Sequence, residues 1–112
     1  METSEAWRDL IQKIVEDHAK IPYAFEKIDR IAVIDRTNDH YLLMIAGRDR
    51  NDRRDHGCII HVDIIDGKFW IQRDGTEYGV AQELMDAGIT KAQIVLAFQP
   101  KWKREDGEFA AA

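Results

Sequence analysis

Between Ser4 and Ala19 the apolar residues Trp7, Leu10, Ile11, Ile14 and Val15 recur at steps of three and four, so they share one face of a helix. Thr3 or Ser4 can cap that helix. Pro22 disfavours helix at Ile21 and removes a backbone donor, which places a linker over Ile21 to Phe25. The pattern then shortens. Lys27 to Arg36 and His40 to Arg48 are rich in Ile, Val, Leu and Tyr, with Thr37-Asn38-Asp39 as turn chemistry between them, and read as a first hairpin. With Asn38-Asp39 as its loop, Ile34, Leu43 and Ile45 share one face and Val33, Leu42 and Met44 the other. Strands apolar on both faces are expected to be central or covered on both sides.

Arg48 to His56 contains no apolar residue and predicts a solvated connection. Its four arginines, Arg48, Arg50, Arg53 and Arg54, alternate with three aspartates, so it offers at most a minor phosphate or partner contact. The next stretch, GCIIHVDIIDGKFWIQRDGTEYG, predicts a second hairpin about Asp66-Gly67, a pair suited to the positive φ angles of a type I′ turn. A two-residue loop sets Ile64 opposite Phe69, Val62 opposite Ile71, Asp63 opposite Trp70 and His61 opposite Gln72. One face of this hairpin is oily and the other mixed.

After Arg73 the period lengthens again, with Val80, Ala81, Leu84 and Met85 on one helical face. Asp74 or Thr76 is its expected cap, Asp74 with Glu77 resembles a capping box, and Gly88 suits its end. Gly79 falls inside the helical reading, which implies close packing on the sheet. A turn over Thr90 to Gln93 leads to a strand at Ile94 to Phe98, closed by Pro100. Residues 101–112 read as a polar tail anchored on the domain or on another subunit by Trp102 and Phe109. The fold class is therefore α+β: a mainly antiparallel sheet of about five strands, two hairpins plus a C-terminal strand, with an N-terminal helix and a second helix after DGTE.

Composition narrows the function. The 112 residues, 45% hydrophobic and 33% charged, suit one globular domain. A net charge of -5 argues against direct DNA binding, since phosphate contacts rely on Lys and Arg releasing counterions. The single cysteine, Cys58, excludes an intrachain disulfide and fits a reducing, cytoplasmic setting. The polar start METSEAWRDL and the absence of any long apolar window imply no membrane association.

The spacing of His61 and Asp63 on one strand face suits two metal ligands, or a base with its orienting carboxylate. A metal site would need a third ligand such as His40 or His56, and the sequence brings neither near, so no metal, cofactor or catalytic residue is assigned. The outward face of a hairpin is the simpler account. Trp70, flanked by His61 and Gln72, is a suitable interface anchor. Gly75 and Gly79 match no phosphate loop. Cys58 reads as a small buried hydrophobe without a reactive thiolate.

The run GCIIHVDIIDGKFWIQRDGTEYGVAQELMDAGITKAQIVLAF, with NDHYLLMIAGRD before it and EFAAA at the end, resembles the XisI family, named for control of fdxN element excision in heterocyst-forming cyanobacteria. The resemblance covers most of the chain. It implies a non-enzymatic accessory factor in site-specific DNA excision, acting on an XisH-like partner, itself similar to nuclease-fold proteins. An antitoxin-like inhibitor of such a partner is one alternative, and a small metal-dependent enzyme using His61 and Asp63 is another. His61, Asp63, Trp70, Gln72 and Trp102 are the expected partner or homo-oligomer contacts. Asp66, Gly67, Asp74, Gly75, Thr76 and Glu77 enter as turn and cap positions. At Gln99 the family leads one to expect histidine, and the acidic EDG of the tail also departs from it.

Overall fold

The structure, a computed structural model, describes residues 2–22 and 27–112. Helix α1 (Glu2–Ala19) leads into the long hairpin β1 (Lys27–Asp35) and β2 (His40–Arg48). Strands β3 (Arg54–Ile65) and β4 (Lys68–Asp74) form the second hairpin, followed by α2 (Val80–Asp86). A single 3₁₀ turn (Lys91–Gln93), strand β5 (Ile94–Leu96) and the short helix α3 (Lys101–Glu105) complete the chain. The sheet has the order β1-β2-β3-β4-β5, antiparallel except for the parallel β4–β5 pair. The chain is thus α+β with a mostly antiparallel five-stranded sheet, as the periodicities predict.

Helices α1 and α2 lie on one sheet face because their apolar stripes have the same surface to bury. Trp7, Ile11, Ile14 and Val15 of α1 and Val80 and Leu84 of α2 close over Tyr41, Leu43, Ile60, Val62, Phe69, Ile71 and Ile94. Trp7 stacks on Phe69 with ring centroids 4.4 Å apart. Polar contacts fix the helix at its edges. Arg8 donates from Nε and Nη2 to the two carboxylate oxygens of Asp39, at 2.8 and 3.2 Å, and the fully buried Tyr41 donates its hydroxyl to Oδ1 at 2.9 Å. His18 meets Glu83 at 2.8 Å and joins α1 to α2.

Several local expectations are corrected. Helix α1 is already running at Glu2, so Thr3 and Ser4 lie within it and not at its N-cap. The linker expected over Ile21 to Phe25 falls partly outside the described residues. The first hairpin turns through residues 36–39, not through Asn38-Asp39 alone, since Asp35 pairs with His40. Its second face is not covered: Ile31 and Val33 on the edge strand β1 are each 43% exposed. The expected solvated connection shrinks to residues 49–53, because Arg54, Asp55 and His56 pair with Arg48, Gly47 and Ala46. Backbone pairing extends β3 there without apolar side chains. Asp49 closes that turn, its carboxylate accepting from the amides of Asn51 and Arg53.

The α2 entry also differs from the expected form. Asp74 ends β4 and reaches over the intervening turn, its Oδ1 accepting from the Thr76 amide and hydroxyl and its Oδ2 from the Val80 amide at 2.7 Å. Glu77 is exposed and makes no hydrogen bond among the described residues, so no capping box forms. Gly79 precedes the helix and does not lie inside it; its φ of 97° is the reason glycine stands there. The helix ends as expected at Gly88, with the Gly88 amide donating to Met85 and the Ile89 amide to Leu84. The expected strand over Ile94 to Phe98 is confined to Ile94–Leu96, and Pro100 starts α3.

The C-terminal residues return to the sheet. The Ala110 amide donates to the Ile94 carbonyl at 2.9 Å, Arg104 Nε donates to the Ala111 carbonyl at 3.0 Å, and Phe109 packs on the core. Among the described residues no helix is long and apolar enough to cross a membrane.

Candidate functional site

The sheet face away from α1 and α2 is built from the alternate positions of the same strands, and two irregularities decide what it presents. Near the open ends of β2 and β3 the register pairs Arg48 with Arg54 and Met44 with Cys58. At Leu43 it steps by one residue, leaving Ile59 without a partner of its own. Past that bulge, Leu42 stands opposite His61 and His40 opposite Asp63. A one-residue slip exchanges the faces of a strand, so without the bulge Val62 would stand opposite His40. Bulges commonly re-aim side chains in this way.

The second irregularity lies in β4. Asp63 pairs with Trp70 and Val62 with Ile71, as the Asp66-Gly67 turn predicts. That turn has the expected positive φ values, 50° and 73°. His61, however, pairs with Arg73 and not with Gln72, because a register shift between His61 and Val62 leaves Gln72 as the extra residue. Gln72 is thereby free to turn its amide to Asp63.

Together these steps gather one cluster. His40 Nδ1 lies 2.7 Å and His61 Nε2 2.9 Å from the same oxygen, Asp63 Oδ1, while Gln72 Nε2 donates to Oδ2 at 3.4 Å. One ligand atom from each of His40, His61 and Asp63 lies within 4.8 Å of the others. Asp63 is the buried charged residue of the described core, 7% exposed, whereas His40 and His61 reach the surface. Either ring donates to the carboxylate in the tautomer that places its proton on the facing nitrogen. The hydrogen bond with Asp63 pushes the His40 pKa above its usual value, with its charge acting in the same direction.

Around the cluster the face is apolar. Val33 stands opposite Leu42 and Ile31 opposite Met44. Leu42, Met44 and Trp70 are half-buried, and Ile65 is exposed. The Trp70 ring is half-buried on this face, with its Nε1 sealed from solvent and without an acceptor among the described residues.

Four of the sequence-predicted site residues, His61, Asp63, Trp70 and Gln72, therefore share one face. Trp102 stands apart on α3, 71% exposed, with no hydrogen bond or ring contact to the cluster among the described residues. Asp66 and Gly67 form the turn, while Asp74, Gly75 and Thr76 build the approach to α2. The Gly75 amide donates to the bulged Ile59 carbonyl at 2.8 Å, where a Cβ would come within 3.3 Å of that oxygen. His40 is the site residue the pattern did not assign. Its place depends on the extra Ile59, which no local periodicity marks. The arginine-rich segment offers no comparable cluster: Arg48 donates to the Asp52 carbonyl, and a shallow cleft there interleaves Lys27, Arg48 and Arg50 with Asp49 and Asp52. Burial pushes the Cys58 thiol pKa up, against thiolate chemistry.

Comparison with known proteins gives a consistent set. A family model described as XisI protein matches residues 1–111. The crystal structure of a XisI-like protein from Anabaena variabilis ATCC 29413 superposes with a TM-score of 0.88 at 28% identity, covering 97% of this chain and 99% of that one. The crystal structure of fdxN element excision controlling factor XisI from the same organism gives 0.82 at 30% identity, over 97% and 98% of the two chains. Among curated proteins none matches.

Proposed function

Because the chain belongs to the XisI family, we propose that it is a non-enzymatic accessory factor controlling excision of a DNA element, and that it acts by docking its open sheet face on an XisH-like protein. The excision setting is supported by the name of the similar Anabaena variabilis protein, fdxN element excision controlling factor. The observation that carries docking is the uncovered apolar face, where Ile31 and Val33 are each 43% exposed beside Leu42 and Met44. Such patches on small proteins mark interaction sites. The net charge of -5 suits a basic, DNA-handling partner, because complementary charge speeds encounter and disfavours wrong partners.

The test is to mix the chain with an XisH-like protein and follow the complex by light scattering and calorimetry. Leu42→Asp puts an unpaired charge at the centre of the face and is expected to weaken binding by about 2 kcal/mol or more, roughly thirtyfold. Trp70→Ala leaves the chain folded and weakens the same complex, while Trp102→Ala leaves affinity unchanged. A complex indifferent to Leu42→Asp contradicts the docking face. Steeply salt-dependent affinity of the chain alone for duplex DNA contradicts the protein-mediated mechanism.

A further inference from the structure

We propose that His40, His61 and Asp63 form a binding site for a divalent transition-metal ion of the zinc type, with His40 Nδ1, His61 Nε2 and an Asp63 oxygen as ligands and the outward position open. The convergence of three donors of the right chemistry carries this. Imidazole nitrogen and carboxylate oxygen bind Zn²⁺ at about 2.0–2.2 Å, and tetrahedral geometry at that length sets neighbouring donors about 3.3–3.6 Å apart. Both histidine nitrogens already lie at 2.7 and 2.9 Å from Asp63 Oδ1, and all three ligand atoms lie within 4.8 Å. Small adjustments of the two rings that lengthen their contacts with Asp63 therefore make room for the ion, with each facing nitrogen deprotonated on binding.

The surroundings match the needs of a bound ion. Three protein ligands with an open fourth position are the ordinary form of an accessible zinc site, unlike the closed four-ligand structural kind. Gln72 donates to Asp63 Oδ2, the oxygen the histidines do not use, and so acts as an outer partner that fixes the carboxylate. Asp63 is enclosed while His40 and His61 are 48% and 33% exposed in their side chains, which leaves an entry path from the open face. The bulges at Ile59 and Gln72 are the backbone features that bring the ligands and their support together. Ion binding does not depend on docking or on excision, and its test needs no partner.

The experiment titrates the purified metal-free chain with Zn²⁺ by calorimetry, and with Co²⁺ as a coloured substitute whose visible spectrum reports its coordination. One saturable site per chain is expected, with the intense visible bands of four-coordinate Co²⁺. His40→Ala and His61→Ala should each weaken binding at least about tenfold, and Gln72→Ala by about tenfold through loss of support for Asp63. His56→Ala, altered at an exposed position outside the cluster, should bind as the original chain does. Circular dichroism of each variant separates loss of ligands from loss of fold. Absence of saturable binding to the folded chain, or binding lost in His56→Ala and retained in His40→Ala and His61→Ala, overturns the site.

Discussion

Asp39, at the turn of the first hairpin, joins the sheet to α1 through one carboxylate. Its carboxylate takes two hydrogen bonds from Arg8 and one from the enclosed Tyr41 hydroxyl, so it holds α1 against the turn of the sheet. Asp39→Ala leaves the enclosed Tyr41 hydroxyl without its acceptor and Arg8 with only its Nη1 bond to Glu5, and is expected to cost about 2–3 kcal/mol in denaturant unfolding. Asp39→Asn retains an acceptor and tolerates the φ of 59°, so its loss should be smaller. The hydrogen bonds from Arg8 hold the Asp39 carboxyl below the usual aspartate value, against the opposing effect of burial. A depressed native pKa means that this contribution is complete above the ordinary carboxylate value, about 4, and fades as pH falls through the depressed one. Acid unfolding followed in parallel should therefore show less stability lost over that interval in Asp39→Asn than in the original chain. An identical acid dependence contradicts the assignment.

At the scale of elements, legibility followed local chemistry. The stripe Trp7, Ile11, Ile14, Val15 and the pair Asp66-Gly67 have close-range causes, and α1 and the β3–β4 turn stand where those causes put them. What depends on distant pairing was hidden. Arg54 to His56 joined β3 because β2 offered backbone partners, not because of any apolar side chain. Helix α3 is one turn following Pro100, too short to show a period. His40 reached the cluster through the unpaired Ile59, and Gln72 left its expected place opposite His61 through the second bulge. Asp74 lay between the legible and the hidden, since its role as the cap was readable but not its reach to Val80 across the turn. Asp74→Ala removes all those acceptors at once. It is expected to lower stability by about 1–2 kcal/mol, measured as a shift of the urea midpoint without a change of slope.

For the whole molecule, the division of the sheet into two unlike faces governs the account. One face is closed by α1 and α2 over a core of buried side chains. The other carries Ile31, Val33, Leu42 and Met44 beside the His40, Asp63, His61 cluster and remains open. The chain has three tryptophans, and each reports a different surface: Trp7 the core, Trp70 the open face and Trp102 the exposed side of α3. The most direct test is the indole region of a ¹H–¹⁵N spectrum recorded as an XisH-like protein is added. Docking through the open face requires the Trp70 resonance to shift or broaden at stoichiometric partner while Trp7 and Trp102 hold their positions. A complex that forms with Trp70 unmoved and Trp102 displaced would contradict it.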